Sequence, residues 1–99
     1  MKYFIVEGIL KNSDSINENI LKEHIEYSSQ NAVDVGLILV SGIKGDESGG
    51  ISIMKFESFE KVEEYLSKDP LKLAGIQEYR VIELTPHYIQ SSASEWFKA

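Results

Sequence analysis

The order in which hydrophobic periodicities follow one another along the chain constrains its fold most strongly. Apolar residues recur every second position in some segments and at helical spacing in others. The strand-type patterns cover residues 3–10, 37–43, 51–56 and 76–84, and the helical patterns cover residues 16–35 and 59–68. The resulting β-α-β-β-α-β order is typical of a ferredoxin-like α+β sandwich. Because crossover connections are right-handed, we expect both helices on one face of a four-stranded antiparallel sheet.

Turn-forming and cap-forming residues separate these segments. Gly36 stands just past the first helical pattern, where a left-handed C-cap requires glycine. Residues 44–50 form a polar, glycine-rich turn that predicts a hairpin between the second and third strands. Ser58 is placed to cap the second helix, which we expect to end at Asp69 and Pro70.

Length and charge limit the number of domains and the classes of partner. With 99 residues the chain has room for one domain. It carries 16 acidic and 10 basic side chains, a net charge of −6, and no run of Lys or Arg that forms a basic patch. We therefore expect neither nucleic acid nor a membrane among its partners. Glu7 interrupts the N-terminal apolar run too early for a signal peptide, so the expected location is cytoplasmic.

The side chains that usually hold metals or phosphates are scarce. The chain has no cysteine, which excludes disulfides, thiolate catalysis and Cys-ligated metal sites. His24 and His87 lie far apart in sequence, and no cluster of ligand-type residues accompanies either one. The glycines of residues 45–50 lack the lysine and the following helix of a phosphate-binding loop. We therefore expect no metal and no cofactor.

Apolar residues occupy both faces of at least two predicted strands. In the first strand Tyr3 and Ile5 point one way while Phe4 and Val6 point the other, and residues 37–40 repeat this arrangement. A sheet that is covered on one side only alternates apolar and polar residues instead. We therefore expect the face away from the helices to meet a second copy of the chain, sheet against sheet.

His24 falls near the middle of the apolar arc of the first helix. The arc is bordered by two apolar pairs, Ile20 with Tyr27 and Leu21 with Ile25. Burial of a histidine against a sheet favours the neutral ring, which can accept a proton as a general base. The alternative is a core histidine whose ring nitrogens are satisfied by hydrogen bonds. The residues alone leave both interpretations open.

Asp69 falls on the continuation of the buried stripe of the second helix, near the sheet face that His24 also faces. A carboxylate in that place could orient an imidazole, as the acid does in a catalytic triad. Asp69 followed by Pro70 is also typical of an N-cap for a short helix. The two roles are compatible, because one oxygen can cap the helix while the other faces a pocket.

These residues together resemble the YciI-like (YCII) domain family. The similarity is carried by His24 in the first helix and by residues 36–42, GLILVSG, in the second strand. Asp69 before a proline, followed by Gly75 and Tyr79, completes it. The resemblance runs over residues 2–86. It implies the dimeric α+β barrel, in which two sheets pack face to face, and a His–Asp dyad in a pocket between sheet and helices.

Carried over to this chain, the dyad is His24 and Asp69, and Ser41 lines the same pocket as a substrate-binding residue. The residues around Ser41 form no G-x-S-x-G turn, so nothing there predicts a nucleophile. Ile43 stands where many family members have proline after the Ser-Gly pair. Residues 1–86 are then the YciI-like domain. Residues 87–99 are a C-terminal extension that we expect to pack on the domain or on the dimer partner.

The resemblance also implies a small cofactor-free enzyme of the lyase, isomerase or dehydrochlorinase type. His24 would be the general acid/base and Asp69 its orienting partner. The substrate would be a small cyclic or aromatic carbonyl compound. The alternative is a non-catalytic module that binds a small ligand, or mediates interactions, through the same pocket.

Overall fold

The computed structural model describes residues 1–97, so residues 98 and 99 of the predicted C-terminal extension lie outside the described residues. The strands are β1 (Lys2–Leu10), β2 (Ile38–Ile43), β3 (Gly50–Phe56) and β4 (Gln77–Leu84). The helices are α1 (Glu18–Ser28), α2 (Phe59–Ser67), α3 (Pro70–Leu73) and α4 (Ala93–Trp96). A 3-10 turn, Ser13–Ser15, precedes α1, and a π-helical turn, Ser29–Val33, continues it.

The four strands form one antiparallel sheet in the order β2-β3-β1-β4. Phe4 in the central strand β1 lies opposite Met54 of β3 and Glu83 of β4. This topology confirms the predicted ferredoxin-like α+β sandwich. No helix within residues 1–97 is long and apolar enough to span a bilayer.

The core lies between the sheet and the helices. Every second side chain of β1 and β3 points to this inner face, and α2 presents its apolar stripe to them. The buried members are Phe4, Val6, Met54, Phe56, Val62, Tyr65 and Leu66, joined by Ala32 of the π-helical turn. The inner face is therefore the face on which both predicted helices pack.

Side-chain caps fix the ends of the helices. Asn17 Oδ1 accepts a hydrogen bond from Ile20 N at 2.9 Å, so α1 begins at Glu18 rather than at residue 16 as predicted. Ser58 Oγ accepts one from Lys61 N at 3.2 Å, which confirms the predicted cap of α2. Gly36 has a φ of +75°, as the predicted left-handed C-cap requires.

Helix α1 stands away from the sheet over part of its length. Leu21 and Ile25, which the helical pattern predicts on the buried arc, are 42% and 55% exposed. That prediction is wrong: Ile25 lines a cavity between α1 and the sheet together with His24 and Ser28, and Leu21 lines a recess formed by residues of α1 itself. Tyr27 joins α1 to α2, since its hydroxyl donates to Tyr65 O at 2.6 Å.

A β-bulge at Leu39 changes which side chains of β2 point towards the helices. Ile38 lies opposite Met54 and Val40 lies opposite Ile53, so two steps on β2 match one step on β3. The register then continues with Ser41 opposite Ser52. Regular alternation from Ile38 would have turned Ser41 away from the helices, whereas the bulge turns it towards them.

The outer face of the sheet is apolar and partly covered by the C-terminal segment. Leu39 and Tyr3 are 63% and 40% exposed on this face. Residues 86–97 form the far wall of an apolar groove of about 550 Å³ above it. The short helix α4 in this segment has no counterpart in the sequence pattern, because four residues are too few to show a period.

Candidate active site

His24 and Asp69 meet between α1 and the start of α3. His24 Nδ1 lies 2.9 Å from each oxygen of the Asp69 carboxylate. The Asp69 side chain is 2% exposed and that of His24 is 25% exposed, so the aspartate is enclosed and the histidine reaches open space. The two residues that the sequence singled out are thus in hydrogen-bond contact across 45 positions of sequence.

Asp69 accepts two further hydrogen bonds. Its Oδ1 accepts from the backbone N of Leu71 at 2.8 Å, which is the predicted N-cap of α3. Its Oδ2 accepts from the hydroxyl of Tyr79 at 2.6 Å. Asp69 therefore fills both roles that the sequence left open, as a helix cap and as a carboxylate facing the histidine.

These contacts determine which ring nitrogen of His24 carries the proton. A carboxylate only accepts hydrogen bonds, and Leu71 N and Tyr79 already donate to it. Nδ1–H of His24 therefore donates to Asp69, and Nε2 of the neutral ring keeps its lone pair. Nε2 has no hydrogen-bond partner among residues 1–97 and belongs to a side chain that lines the cavity.

Tyr79 and Gln77 extend the network along β4. The Tyr79 hydroxyl donates to Asp69, so its oxygen accepts from Gln77 Nε2 at 2.9 Å. Burial, followed by the hydrogen bond to Asp69, raises the pKa of Tyr79 well above its ordinary value. Gly8 of β1 leaves room for the carboxamide, because a Cβ at this position would lie 2.8 Å from Gln77 Cδ.

The cavity beside this network has a volume of about 280 Å³. Its apolar lining includes Val6, Ile38, Ile51, Met54 and Leu66. Its polar lining includes His24, Ser28, Ser29, Ser41, Ser52, Asp69, Gln77 and Tyr79. The π-helical turn contributes to this wall through Ser29 and Val33, and such turns occur frequently at functional sites.

The structure brings the three predicted site residues to one cavity, where Ser41 lines the strand side. Their catalytic and binding roles stay predictions. The residues that sequence reasoning did not assign are Gln77, Ser52 and, as a partner of Asp69, Tyr79. A signal for two of them was present, since Gln77 and Tyr79 stand two apart and so share one face of a strand. Ser52 carried no such signal.

No cluster of His, Asp and Glu side chains among residues 1–97 is arranged to hold a metal ion. The cavity instead offers a basic imidazole nitrogen beside hydroxyl and amide groups. This donor set suits proton transfer on a bound organic molecule, because a positioned imidazole can take up or return a proton.

Two solved structures share the fold of this chain at low sequence identity. One is 5-chloro-2-hydroxyhydroquinone dehydrochlorinase (TftG) from Burkholderia phenoliruptrix AC1100, in complex with 2,5-dihydroxybenzoquinone. It is 20% identical over 84% of this chain and 93% of that chain, with a TM-score of 0.69. The other is muconolactone isomerase, 16% identical over 90% of this chain and 94% of that chain, with a TM-score of 0.68.

At these identities the two structures establish similarity of fold only. A search of curated protein sequences finds no match. The family model of the YCII-related domain matches residues 1–85, which is most of the chain. The chain therefore belongs to the YCII-related domain family.

Proposed function

We propose that this protein is a cofactor-free enzyme that moves a proton on a small cyclic or aromatic carbonyl compound, as a lyase or an isomerase. His24 is the general acid/base and Asp69 orients it. The observation that carries the proposal is the hydrogen bond from His24 Nδ1 to the enclosed Asp69 carboxylate, which leaves Nε2 as the basic nitrogen of the ring.

The chemistry requires only a proton and a bond rearrangement within the substrate. His24 Nε2 takes a proton from a carbon next to the carbonyl or from a ring hydroxyl, and the electron pair moves into the conjugated system. In an isomerisation the proton returns at a different carbon. In an elimination the electron pair expels a leaving group such as chloride, and His24 Nε2 then releases its proton to solvent. Neither course needs an oxidant or a reductant, and both leave the ring of His24 unchanged after turnover.

The similar structures support this class of reaction. One is described as a dehydrochlorinase and the other as an isomerase, and both names denote reactions on small molecules. The apolar part of the lining supports it further. An apolar environment strengthens electrostatic interactions with the charge that develops on the substrate.

The test uses two substrate types with separate readouts. A chlorinated hydroxyquinol is followed by chloride release, and an unsaturated lactone in D₂O is followed by deuterium uptake in proton NMR. Wild-type protein is compared with His24→Gln, Asp69→Asn and the control Ser67→Ala. Ser67 is exposed on α2, outside the cavity lining.

We expect His24→Gln to lower the rate by about 10²-fold or more, the usual weight of a general acid/base. Asp69→Asn is expected to lower it comparably, because an amide N–H facing Nδ1 forces the proton onto Nε2. Ser67→Ala is expected to leave the rate unchanged. An unaltered rate in His24→Gln would contradict the acid/base role. Binding without turnover in all proteins would favour the non-catalytic ligand-binding module.

The chain is also proposed to work as a homodimer that packs sheet against sheet, with the segment after Pro86 contributing to the contact. Support comes from the exposed apolar side chains on the outer face, Leu39 and Tyr3 among them. Trp96 and Phe97, 68% and 58% exposed, extend the same apolar surface. Exposed apolar surface of this kind is typical of a contact between protein chains.

A further inference from the structure

Ser52 places an unused hydroxyl inside the cavity. The residue is 7% exposed, lies on the inner side of β3 and lines the cavity wall. Its Oγ has no hydrogen-bond partner among residues 1–97. Within the same residues, no side-chain N or O that is sealed from solvent lacks a partner. The hydroxyl of Ser52 must therefore open onto the cavity, where a bound molecule can reach it.

Gln77 presents an acceptor to the same cavity. Because the Tyr79 hydroxyl donates to Asp69, its oxygen has to accept from the amide nitrogen of Gln77. This fixes the orientation of the carboxamide and leaves Oε1 without a partner in the described part of the chain. Gln77 is 6% exposed and lines the cavity, so Oε1 is an enclosed acceptor.

The charges of the cavity lining further restrict which ligand groups can bind there. Among the described residues that line the cavity, the acidic one is Asp69, and no lysine or arginine accompanies it. A ligand carboxylate would meet the negative charge of Asp69 and the lone pairs of Gln77 Oε1 and His24 Nε2. A neutral hydroxyl group can instead donate to either acceptor and accept from Ser52 Oγ.

We propose that Ser52 Oγ and Gln77 Oε1, with Ser41 on the neighbouring strand, form a subsite that binds a hydroxyl group of a neutral hydroxylated ring and disfavours a carboxylate. Since this names the substrate class of the site described above, it depends on the proposed function. The ring is held by one hydroxyl at the subsite, and a second acidic hydrogen faces His24 Nε2. The subsite thus selects ligands by their hydrogen-bond donors.

The test measures binding rather than turnover. Three probes share one ring: 1,4-dihydroxybenzene, 1,4-dimethoxybenzene, which lacks the donors, and 2,5-dihydroxybenzoate, which adds a carboxylate. Each is titrated into the full chain and followed by amide and histidine NMR shifts. The proteins are wild type, Ser52→Ala, Ser41→Ala and the control Ser67→Ala, with thermal unfolding to verify that each is folded.

We expect the dihydroxy probe to bind at least tenfold more tightly than either other probe. Ser52→Ala should weaken its binding about fivefold, the weight of one hydrogen bond. It should weaken binding of the dimethoxy probe by no more than that, because an ether oxygen can accept from Ser52 Oγ but offers no donor to Gln77 Oε1. Ser41→Ala should have a smaller effect because Ser41 is exposed, and Ser67→Ala should have none.

Two other outcomes overturn the proposal and can be told apart. If the dihydroxy probe shifts His24 but binds Ser52→Ala as tightly as wild type, or if the carboxylate binds best, the subsite assignment fails while the acid/base site stands. If no probe shifts His24 or Tyr79 at any attainable concentration, the subsite and the proposed function fail together.

Discussion

The two faces of the sheet reverse the usual distribution of polar and apolar residues, each in its own way. On the inner face, Asp69, Gln77 and Ser52 are buried beside the core. On the outer face, Leu39 and Tyr3 are exposed. Buried polar groups and exposed apolar groups both lower stability unless something else interacts with them. The inner face thus points to a small ligand and the outer face to a protein surface.

The largest effect is expected at the centre of the inner network. Asp69→Ala removes the acceptor for His24, Leu71 N and Tyr79, so the free energy of unfolding should fall by about 3 kcal/mol. His24→Phe removes one donor from a partly exposed side chain and should change it by less than about 1 kcal/mol. Urea unfolding of both variants measures the difference.

The difference in stability between these two variants distinguishes a residue that maintains the fold from one that interacts with a ligand. Active-site residues are often neutral or favourable to replace, since they trade stability for function. A loss of several kcal/mol in His24→Phe would identify His24 as a core residue and would remove the main support for the acid/base proposal.

The outer face is tested by introducing a charge. If a second copy covers it, Leu39→Lys should weaken self-association by about 2 kcal/mol, or roughly 30-fold, as expected for a central interface residue. Ile25→Lys, in α1 on the opposite side of the sheet, is the matched control, because Ile25 is 55% exposed and Leu39 63%. Analytical ultracentrifugation reports the mass. A wild-type chain that is monomeric at high micromolar concentration would contradict the dimer.

A smaller effect on the free energy of unfolding is expected from Gly8→Ala, because Gly8 lies close to Gln77. Gly8→Ala places a methyl group 2.8 Å from Gln77 Cδ, so the carboxamide has to move away from Tyr79. We expect a loss of about 1 kcal/mol in unfolding free energy, together with a shift of the Gln77 side-chain amide signals in NMR. Gly42→Ala, where a Cβ meets nothing within 4 Å, is the control and should be near neutral. Unchanged amide signals in Gly8→Ala would count against the close contact between Gly8 and the Gln77 carboxamide.

The smallest expected effect is a loss of stability at alkaline pH, which tests the contact between Tyr79 and Asp69. Burial and the hydrogen bond to Asp69 raise the pKa of Tyr79 above the value of about 10 in an unfolded chain. The folded state therefore retains a proton that the unfolded state releases. Tyr79 thus contributes stability that is complete below about pH 10 and is lost as the pH rises further.

The measurement compares wild type with Tyr79→Phe in urea unfolding at increasing pH. The stability difference between them should narrow above about pH 10, by no more than about 1.4 kcal/mol per pH unit. A difference that stays constant up to about pH 11 would mean that Tyr79 ionises alike in the folded and unfolded chains.

Patterns local in sequence predicted most of the fold. Periodicity gave the order of strands and helices, and Ser58, Gly36 and the Asp69–Pro70 pair gave helix ends, because a cap depends on residues within one turn. The contact between His24 and Asp69 was anticipated for a different reason. Each falls on a buried stripe, and the topology brings both stripes to the same face of the sheet.

Features that depend on distant contacts were not predictable in this way. The exposure of Ile25 follows from a cavity beneath α1, and periodicity shows the direction of a side chain without showing what lies opposite. Gln77 could be assigned an acceptor role only once Tyr79 was seen to donate to Asp69. Such a chain of hydrogen bonds joins α1, α3 and β4 and leaves no signature within any one of them.

The bulge at Leu39 makes the pairing register of β2, as well as its composition, decide what forms one wall of the cavity. If the bulge were straightened with Leu39 kept in the strand, alternation from Ile38 would run without interruption and would exchange the facing of residues 40–43. Val40 would then close the wall with a hydrocarbon side chain, and Ser41 would move to the outer face. The bulge thus keeps this wall wettable, so that a change in strand register here can alter ligand preference without substituting any cavity residue.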